Sequence, residues 1–268
     1  MIASILAEDG LKVALLSRGY GGRLNTPTLV DPSLHDSSDV GDEALMLSHS
    51  HLVVVSPDRA AGAQFIERHC EVDLILMDDG MQHPWLFKDF IIGVFDGQRG
   101  LQNGLPFPSG PLRELTRHAM PRLGALFING DDETALAQKS PPTLPLFYGQ
   151  LEPYHQQIEE LQDGKWLAFA GIGNPQRFFK MLEKKEVELV ATAAYADHHP
   201  YSEADLAQLQ ADAHHRGAEL VTTHKDWIRL PSEWRERVRA VSVSMTISKD
   251  DIQRLRGLLH QHIHSSRT

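Results

Sequence analysis

The stretch DLILMDDGMQH, Asp73 to His83, decides how the rest of the chain reads. An apolar run of strand length ends in two adjacent carboxylates, Asp78 and Asp79, followed by Gly80. A strand that is apolar at every position is buried on both faces, as in a parallel sheet covered by helices. Carboxylates at the tip of such a strand follow the Walker B pattern, in which hard oxygen ligands hold Mg²⁺ beside nucleotide phosphates. Gln82 and His83 continue the same loop and are expected to face the same crevice. The competing reading is an acidic turn after a buried strand. That reading leaves two like charges side by side with nothing positive to offset them.

Working outward, the same rhythm recurs. LKVALLS (Leu11 to Ser17), HLVVVS (His51 to Ser56), FIIGVFD (Phe90 to Asp96) and LGALFIN (Leu123 to Asn129) read as further strands. GAQFIERHC (Gly62 to Cys70) has helical spacing between two of them. Strands alternating with helices argue for an α/β fold built on a parallel sheet, whose ligands bind beyond the carboxyl ends of the strands. Ile2, Ile5 and Leu6 have helical spacing with Gly10 as a stop, so the sequence opens on a helix. The proline-rich stretch KSPPTLPLFYGQLEP (Lys139 to Pro153) reads as a linker. It divides an expected first domain, 1–145, from a second and smaller α/β domain, 146–268. In that second part KWLAFAG, ELVATAAY and AELVTTH are expected strands. NPQRFFKMLEKKE and SEADLAQLQADAHHRG are expected helices. The amphipathic DDIQRLRGLLHQHIH closes the chain and is expected to pack back on the first domain.

Composition narrows the class. The 268 residues are 41% hydrophobic and 23% charged, ordinary for a soluble globular protein with a sizeable core. A single cysteine, Cys70, excludes an intramolecular disulfide. The net charge of −10 argues against nucleic acid as a partner, which needs a basic footprint. An anionic ligand is still compatible, because charges are screened over about 8 Å at physiological salt and a local arginine cluster can dominate a site. No apolar run reaches the length that spans a membrane, and MIASILAEDG lacks the basic start of a signal peptide.

Several other constellations follow expected strands. SRGYGG (Ser17 to Gly22) puts three glycines in four positions, which lets backbone approach a ligand or adopt positive φ. Its flanking Arg18 and Arg23 read either as phosphate contacts or as solvated side chains. VGDEA (Val40 to Ala44) places Asp42 and Glu43 at a helix start. They are either acidic residues favoured by the dipole or a catalytic base beside a metal ligand. SPDR (Ser56 to Arg59) offers Arg59 as a phosphate or substrate contact, or as a surface arginine. FDGQRGLQNGLPFPSGPLRE (Phe95 to Glu114) is a long loop ending at Arg113, and long loops in compact domains are often functional. Its Leu101, Leu105 and Phe107 either face acyl chains or pack on the core. ADHHPYSEADL (Ala196 to Leu206) carries Asp197, His198 and His199 ahead of a capping box of Ser202 and Asp205. HQHIH at the end reads as a solvated helix terminus rather than a metal site.

Taken in order, SRGYGG, VGDE, SPDR, DDGMQH, GLQNGLPFPSGPLRE, FAGIGNPQRFF, DHHPY and TTHKD resemble the tetraacyldisaccharide 4'-kinase family. The resemblance runs from about Leu11 to Leu230. It implies a P-loop-kinase-like parallel sheet with a second, smaller α/β domain. It also implies transfer of the γ-phosphoryl group of ATP, with Mg²⁺, to the 4'-hydroxyl of a tetraacylated glucosamine disaccharide 1-phosphate in lipid A biosynthesis. The resemblance implies as well peripheral association with the cytoplasmic face of the inner membrane. Carried over by motif, Asp42 is the base on the sugar hydroxyl, paired with His198. Glu43, Asp78 and Asp79 lie around Mg²⁺. Arg18, Gln82 and His83 serve the nucleotide, and Arg59 and Arg113 serve the substrate. With Asp42 in the first domain and His198 in the second, their pairing implies that the two domains close over substrate.

The sequence departs from the family pattern at Met81, a position often aromatic, and at His224, where many members have glutamate. No G-x-x-x-x-G-K-[ST] stretch occurs in the 268 residues. The resemblance therefore implies a chain that opens after the family's phosphate-binding loop and first strand, and that is inactive as it stands. Two alternatives remain at this point: a non-catalytic relative that binds a nucleotide or acylated sugar, and a metal-dependent hydrolase built on Asp78, Asp79, His83 and His198.

Overall fold

The computed structural model describes residues 1–265. In chain order the strands are β1 (Val13–Ser17), β2 (Thr28–Leu29), β3 (Leu52–Val55), β4 (Leu74–Met77), β5 (Ile92–Asp96) and β6 (Ala125–Asn129). They continue with β7 (Leu146–Pro153), β8 (Lys165–Ala170), β9 (Glu188–Ala194), β10 (Glu219–Thr223), β11 (Val238–Val241) and β12 (Val243–Ile247). All eight strand-like runs of the sequence are strands. β2, β7, β11 and β12 are additions.

The chain forms two compact units, each drawing on distant parts of the sequence. One comprises Met1–Leu11, Asp79–Glu152 and the chain from Met245 onward; the other comprises Lys12–Asp78 and Pro153–Ser244. We refer to these as the first and second unit.

The second unit holds two four-stranded sheets, ordered β2-β3-β1-β4 and β11-β10-β8-β9. β1 runs parallel to both β3 and β4, with Ala14 opposite Leu52 and Val13 opposite Leu74. Only the short edge strand β2 is antiparallel, to β3. The other sheet is parallel throughout. β8 shows why its sequence is apolar at nearly every position. Trp166, Ala168 and Ala170 pack on one side with Phe178, Phe179 and Leu182 of the helix Pro175–Lys184. Leu167 and Phe169 pack on the other with Leu206 and Leu209 of the helix Glu203–His215. Alternate residues of one strand thus feed two apolar layers, as period-two geometry requires. The helix Glu203–His215 starts with the capping box read from the sequence: Ser202 Oγ accepts from the Asp205 amide at 3.2 Å, and Asp205 accepts from the Ser202 amide at 2.9 Å.

The first unit holds the third sheet, ordered β12-β7-β6-β5, with β5, β6 and β7 parallel. Leu126 and Ile128 of β6 pack with Met120, Leu123, Leu136 and Leu144. Leu101 of the long loop joins this core, whereas Phe107 is 83% exposed. The closing helix Lys249–Ser265 meets the opening helix Ile2–Glu8 through Arg256 to Glu8 at 2.9 Å and His260 to Asp9 at 2.8 Å.

The expected linker at Lys139–Pro153 is corrected by β7. Pro141, Pro142 and Pro145 all precede its first residue, Leu146, and Pro153 is its last, so none of the four interrupts its interior. Leu146 to Gly149 pair in register with Leu126 to Asn129. A side chain at Gly149 would meet Met245 Sδ at 2.6 Å, so glycine admits the neighbouring segment. Because β7 belongs to the sheet of β5 and β6, the compact units do not part at residue 145.

Candidate active site

Asp42 is the first residue of the helix Asp42–Ser48, and its position is set by a glycine. Gly41 caps this helix with φ 86° and ψ 151°. A Cβ there would lie 2.4 Å from the Tyr20 carbonyl oxygen, and one on Gly22 would lie 2.6 Å from the Asp39 oxygen. Gly19 and Gly22 of SRGYGG therefore press against the Asp39–Gly41 backbone and fix where the helix begins. Their packing partner is protein backbone, where the sequence left ligand approach open. Arg23 pairs with Asp39 at 2.7 Å, and Arg18 is exposed. The Asp36 amide, and next the Arg23 guanidinium, hold the Asp39 carboxyl below the usual carboxylate range.

His198 Nδ1 lies 3.1 Å from Asp42 Oδ2. The two residues are 156 positions apart yet belong to the same unit. This corrects the expectation that pairing requires two domains to close: both groups are carried by the second unit and meet in its fold. His198 has φ 58°, a left-handed conformation unusual for a side-chain-bearing residue, and its amide donates to the Gly171 carbonyl at 3.0 Å. Asp42 is largely buried, with a side chain 13% exposed, while the His198 ring is 43% exposed.

A third group approaches the same carboxylate oxygen. Arg229 Nε lies 2.8 Å from Asp42 Oδ2, a close ion pair whose N–H is not aimed for a hydrogen bond. Arg229 Nη1 donates to the Gly171 carbonyl at 3.1 Å and reaches Asp226 Oδ1 at 3.3 Å. Asp226 is fully buried. It accepts from the Gly171 amide at 2.9 Å, the Tyr201 hydroxyl at 2.9 Å and the Thr223 hydroxyl at 2.6 Å. Burial, and next the Asp226 charge, push the Tyr201 phenol up from its ordinary value. Tyr201 and Asp226 close the DHHPY and TTHKD motifs but had no role assigned to them, and Arg229 lies outside both. The one signal was Thr223 three residues before Asp226, which has the spacing of a helix cap.

The remaining expected residues of the second unit lie near its surface or in its backbone framework. Glu43 is 58% exposed and pairs with Lys225 at 3.1 Å. Asp78, just past β4, is exposed. Arg59 is buried, with Nη1 3.3 Å from the Ser56 carbonyl and Nη2 3.1 Å from the Asp78 carbonyl. It ties the loop after β3 to the tip of β4 and is not a surface arginine. Among the described residues no three His, Cys, Asp or Glu side chains gather into a metal cage. Mg²⁺ ordinarily takes only one or two protein carboxylates, with phosphate oxygens and waters completing its shell. The hard, accessible oxygens of Glu43 and Asp78 fit that donor set.

In the first unit, Asp79 (φ 51°) forms a two-pronged pair with Arg113, Nη1 lying 2.7 and 2.8 Å from its carboxylate oxygens. Gln82 donates to Glu114 at 3.0 Å, and Arg122 also binds Glu114. His83 Nδ1 is buried with no hydrogen-bond partner among the described residues. Asp79, expected beside Asp78 as a metal ligand, is thus engaged by an arginine.

The fold is shared with a solved protein. A crystal structure of LpxK from Aquifex aeolicus in complex with ATP superimposes with a TM-score of 0.77 at 22% identity, covering 98% of this chain and 82% of that one. With parallel strands ending in carboxylates, this defines a P-loop-kinase-like α/β protein. Residues 1–264 match the family model described as tetraacyldisaccharide-1-P 4'-kinase. The tetraacyldisaccharide 4'-kinase of Methylobacterium radiotolerans is 43% identical over 258 residues, 95% of this chain and 77% of the relative. That of Bradyrhizobium sp. (strain BTAi1) is 40% identical over 272 residues, 99% of this chain and 79% of the relative. The chain belongs to the tetraacyldisaccharide 4'-kinase family.

Proposed function

We propose that this protein transfers the γ-phosphoryl group of ATP to the 4'-hydroxyl of a tetraacylated glucosamine disaccharide 1-phosphate, giving lipid IVA in lipid A biosynthesis. Family membership supports the reaction. The observation that carries the site is the Asp42–His198 contact of 3.1 Å at a helix start. Phosphoryl transfer is mostly positioning and charge neutralisation, with a base to take the hydroxyl proton. His198 and Arg229 both approach Asp42 Oδ2, which leaves Oδ1 to accept that proton as the sugar oxygen bonds to phosphorus and ADP departs. His198 orients the carboxylate.

Glu43 and Asp78 would hold Mg²⁺, which when bound neutralises charge on the phosphate oxygens. In the first unit, Arg113 presents a cation beside Asp79 and serves the anionic acceptor, while Gln82 and His83 serve the nucleotide. Arg18, exposed after β1, is a further phosphate contact, and Arg59 supports the substrate side through the backbone it ties. Among the described residues no helix is long and apolar enough to cross a membrane. The acyl chains of the proposed substrate favour peripheral contact with the cytoplasmic face of the inner membrane. The 268 residues contain no G-x-x-x-x-G-K-[ST] stretch to cradle the donor phosphates, so by themselves they are expected to be inactive or nearly so. Rate comparisons are made within one background.

The test is transfer of labelled γ-phosphate from ATP to the disaccharide 1-phosphate. Asp42→Asn and His198→Ala are expected to lower kcat by roughly 10²–10⁴ with little change in KM. Full turnover by Asp42→Asn would remove Asp42 as the base.

A further inference from the structure

Arg229 is buried, with a side chain 8% exposed, and its guanidinium faces two carboxylates carried by different segments. One is Asp42, the proposed base. The other is Asp226, fully buried and gripped by the Gly171 amide and the Tyr201 and Thr223 hydroxyls. Every partner that fixes Asp226 comes from the β8 and β10 ends or the segment just before the helix Glu203–His215. The Gly171 peptide is central to this framework. Its amide holds Asp226, and its carbonyl accepts from both Arg229 Nη1 and the His198 amide. The space there is tight, since a Cβ would lie 3.0 Å from the Ala196 carbonyl oxygen and 3.1 Å from the Tyr201 hydroxyl.

We infer that Arg229 is a positioning residue for the acceptor-activating step, anchored by Asp226 and holding the Asp42 carboxylate in register with His198. This rests on the reading of Asp42 as the base. The planar guanidinium suits the task because its fixed fork can meet two carboxylates at once, which a lysine ammonium on a flexible stem cannot reproduce. The second carboxylate matters for geometry: with Asp226 on one side and Asp42 on the other, the guanidinium is held between two segments rather than free to swing with either. Gly171 makes the arrangement reach the other half of the dyad, since the same peptide sets the His198 backbone.

The distinguishing experiment is a double-substitution series on labelled phosphoryl transfer, in the protein produced from its own gene. Arg229→Lys is expected to lower kcat by about ten-fold or more while leaving KM for ATP and acceptor nearly unchanged. In the Asp42→Asn background the same change should have no further effect on kcat, because the residue acts only through Asp42. An equal fall in both backgrounds would mark a merely structural role and overturn the inference, as would no fall with Asp42 intact. Wild-type turnover by Asp42→Asn alone would be the failure of the base reading, visible without any change at Arg229, and it would take the inference with it. Should Arg229→Lys not fold by circular dichroism, Tyr201→Phe replaces it. That change removes one hydrogen bond to Asp226 and no charge. It is expected to lower kcat with Asp42 present and not in Asp42→Asn; an unchanged kcat with Asp42 present overturns the inference.

Discussion

Gly41→Ala tests whether the glycine turn sets the position of Asp42, the proposed base. Gly41 has φ 86° and ψ 151°. That region is essentially closed to other residues, and occupying it costs of order 1–3 kcal/mol. The added methyl would lie 2.4 Å from the Tyr20 carbonyl oxygen and 3.2 Å from the Gly19 and Tyr20 carbonyl carbons. The first contact is roughly 1 Å inside ordinary van der Waals distance, and its partner is backbone that cannot rotate away. Overpacking of this kind adds about 1–3 kcal/mol. A total of roughly 2–6 kcal/mol follows if strain and overlap add, which for a chain of this size lowers Tm by roughly 5–20 °C. Relief of the overlap must shift either Gly19–Tyr20 or the first turn of the helix that carries Asp42. A displacement near 1 Å at a catalytic group can cost about 10² in rate. Gly21→Ala is the matched control, since Gly21 has φ 84° but open space around the would-be Cβ. It carries strain without overlap and is expected to lower Tm modestly and leave kcat close to wild type. Tm is read by circular dichroism and kcat by initial rates of labelled phosphoryl transfer. Equal Tm and equal kcat for the two alanine variants would refute the reasoning.

Arg113→Ala removes an ion pair whose side chains are 62% and 58% exposed, so its stability cost is expected to be at most about 1 kcal/mol. The proposed substrate role predicts instead a rise in KM for the acceptor of about ten-fold, and an unchanged KM would remove Arg113 from the substrate side. Tyr201 gives a pH expectation. Its phenol is raised by burial and by the Asp226 charge, so its contribution is fully present below the unfolded tyrosine value of about 10 and is lost as pH rises above it. Thermal unfolding from pH 8 to 11 should show a falling alkaline limb that is shallower in Tyr201→Phe; parallel limbs would contradict this.

Much of the fold was legible because fully buried parallel strands leave continuous apolar runs. Trp166 to Ala170 feed two layers, so no position in that run is polar. β7 was not legible, because Pro141, Pro142, Pro145 and Pro153 sit in the same short stretch; sequence alone does not reveal that all lie outside the strand interior. The pairing of Asp42 with His198 was legible only through motif resemblance, since nothing local connects a helix-start aspartate with a loop histidine. Arg229 and Asp226 were hidden for a different reason. On the short helix His224–Arg229 they look like the acid near its start and the base near its end that any helix favours. Only burial separates that reading from the observed one. Asp226 is buried by partners 25 and 55 residues away, Tyr201 and Gly171, which no periodicity of the sequence announces.

The Asp42–His198 contact also changes how the energetics of the proposed reaction divide. Had the dyad been assembled by closure, part of the substrate's binding energy would have been drawn into aligning base and histidine, and loss of either would have raised KM as well as lowering kcat. Here the second unit orders both groups as it folds. Gly41 fixes one backbone, Gly171 fixes the other, and Arg229 bridges Asp42 to Asp226 and to the Gly171 carbonyl. The ordering cost is then met by folding, before any substrate arrives, which is the sense in which an acid–base site is preorganised. Changes at Asp42, His198 and Arg229 should therefore share one kinetic signature, a fall in kcat at nearly constant KM, whereas changes at residues proposed to hold the acceptor, such as Arg113, should show the reverse.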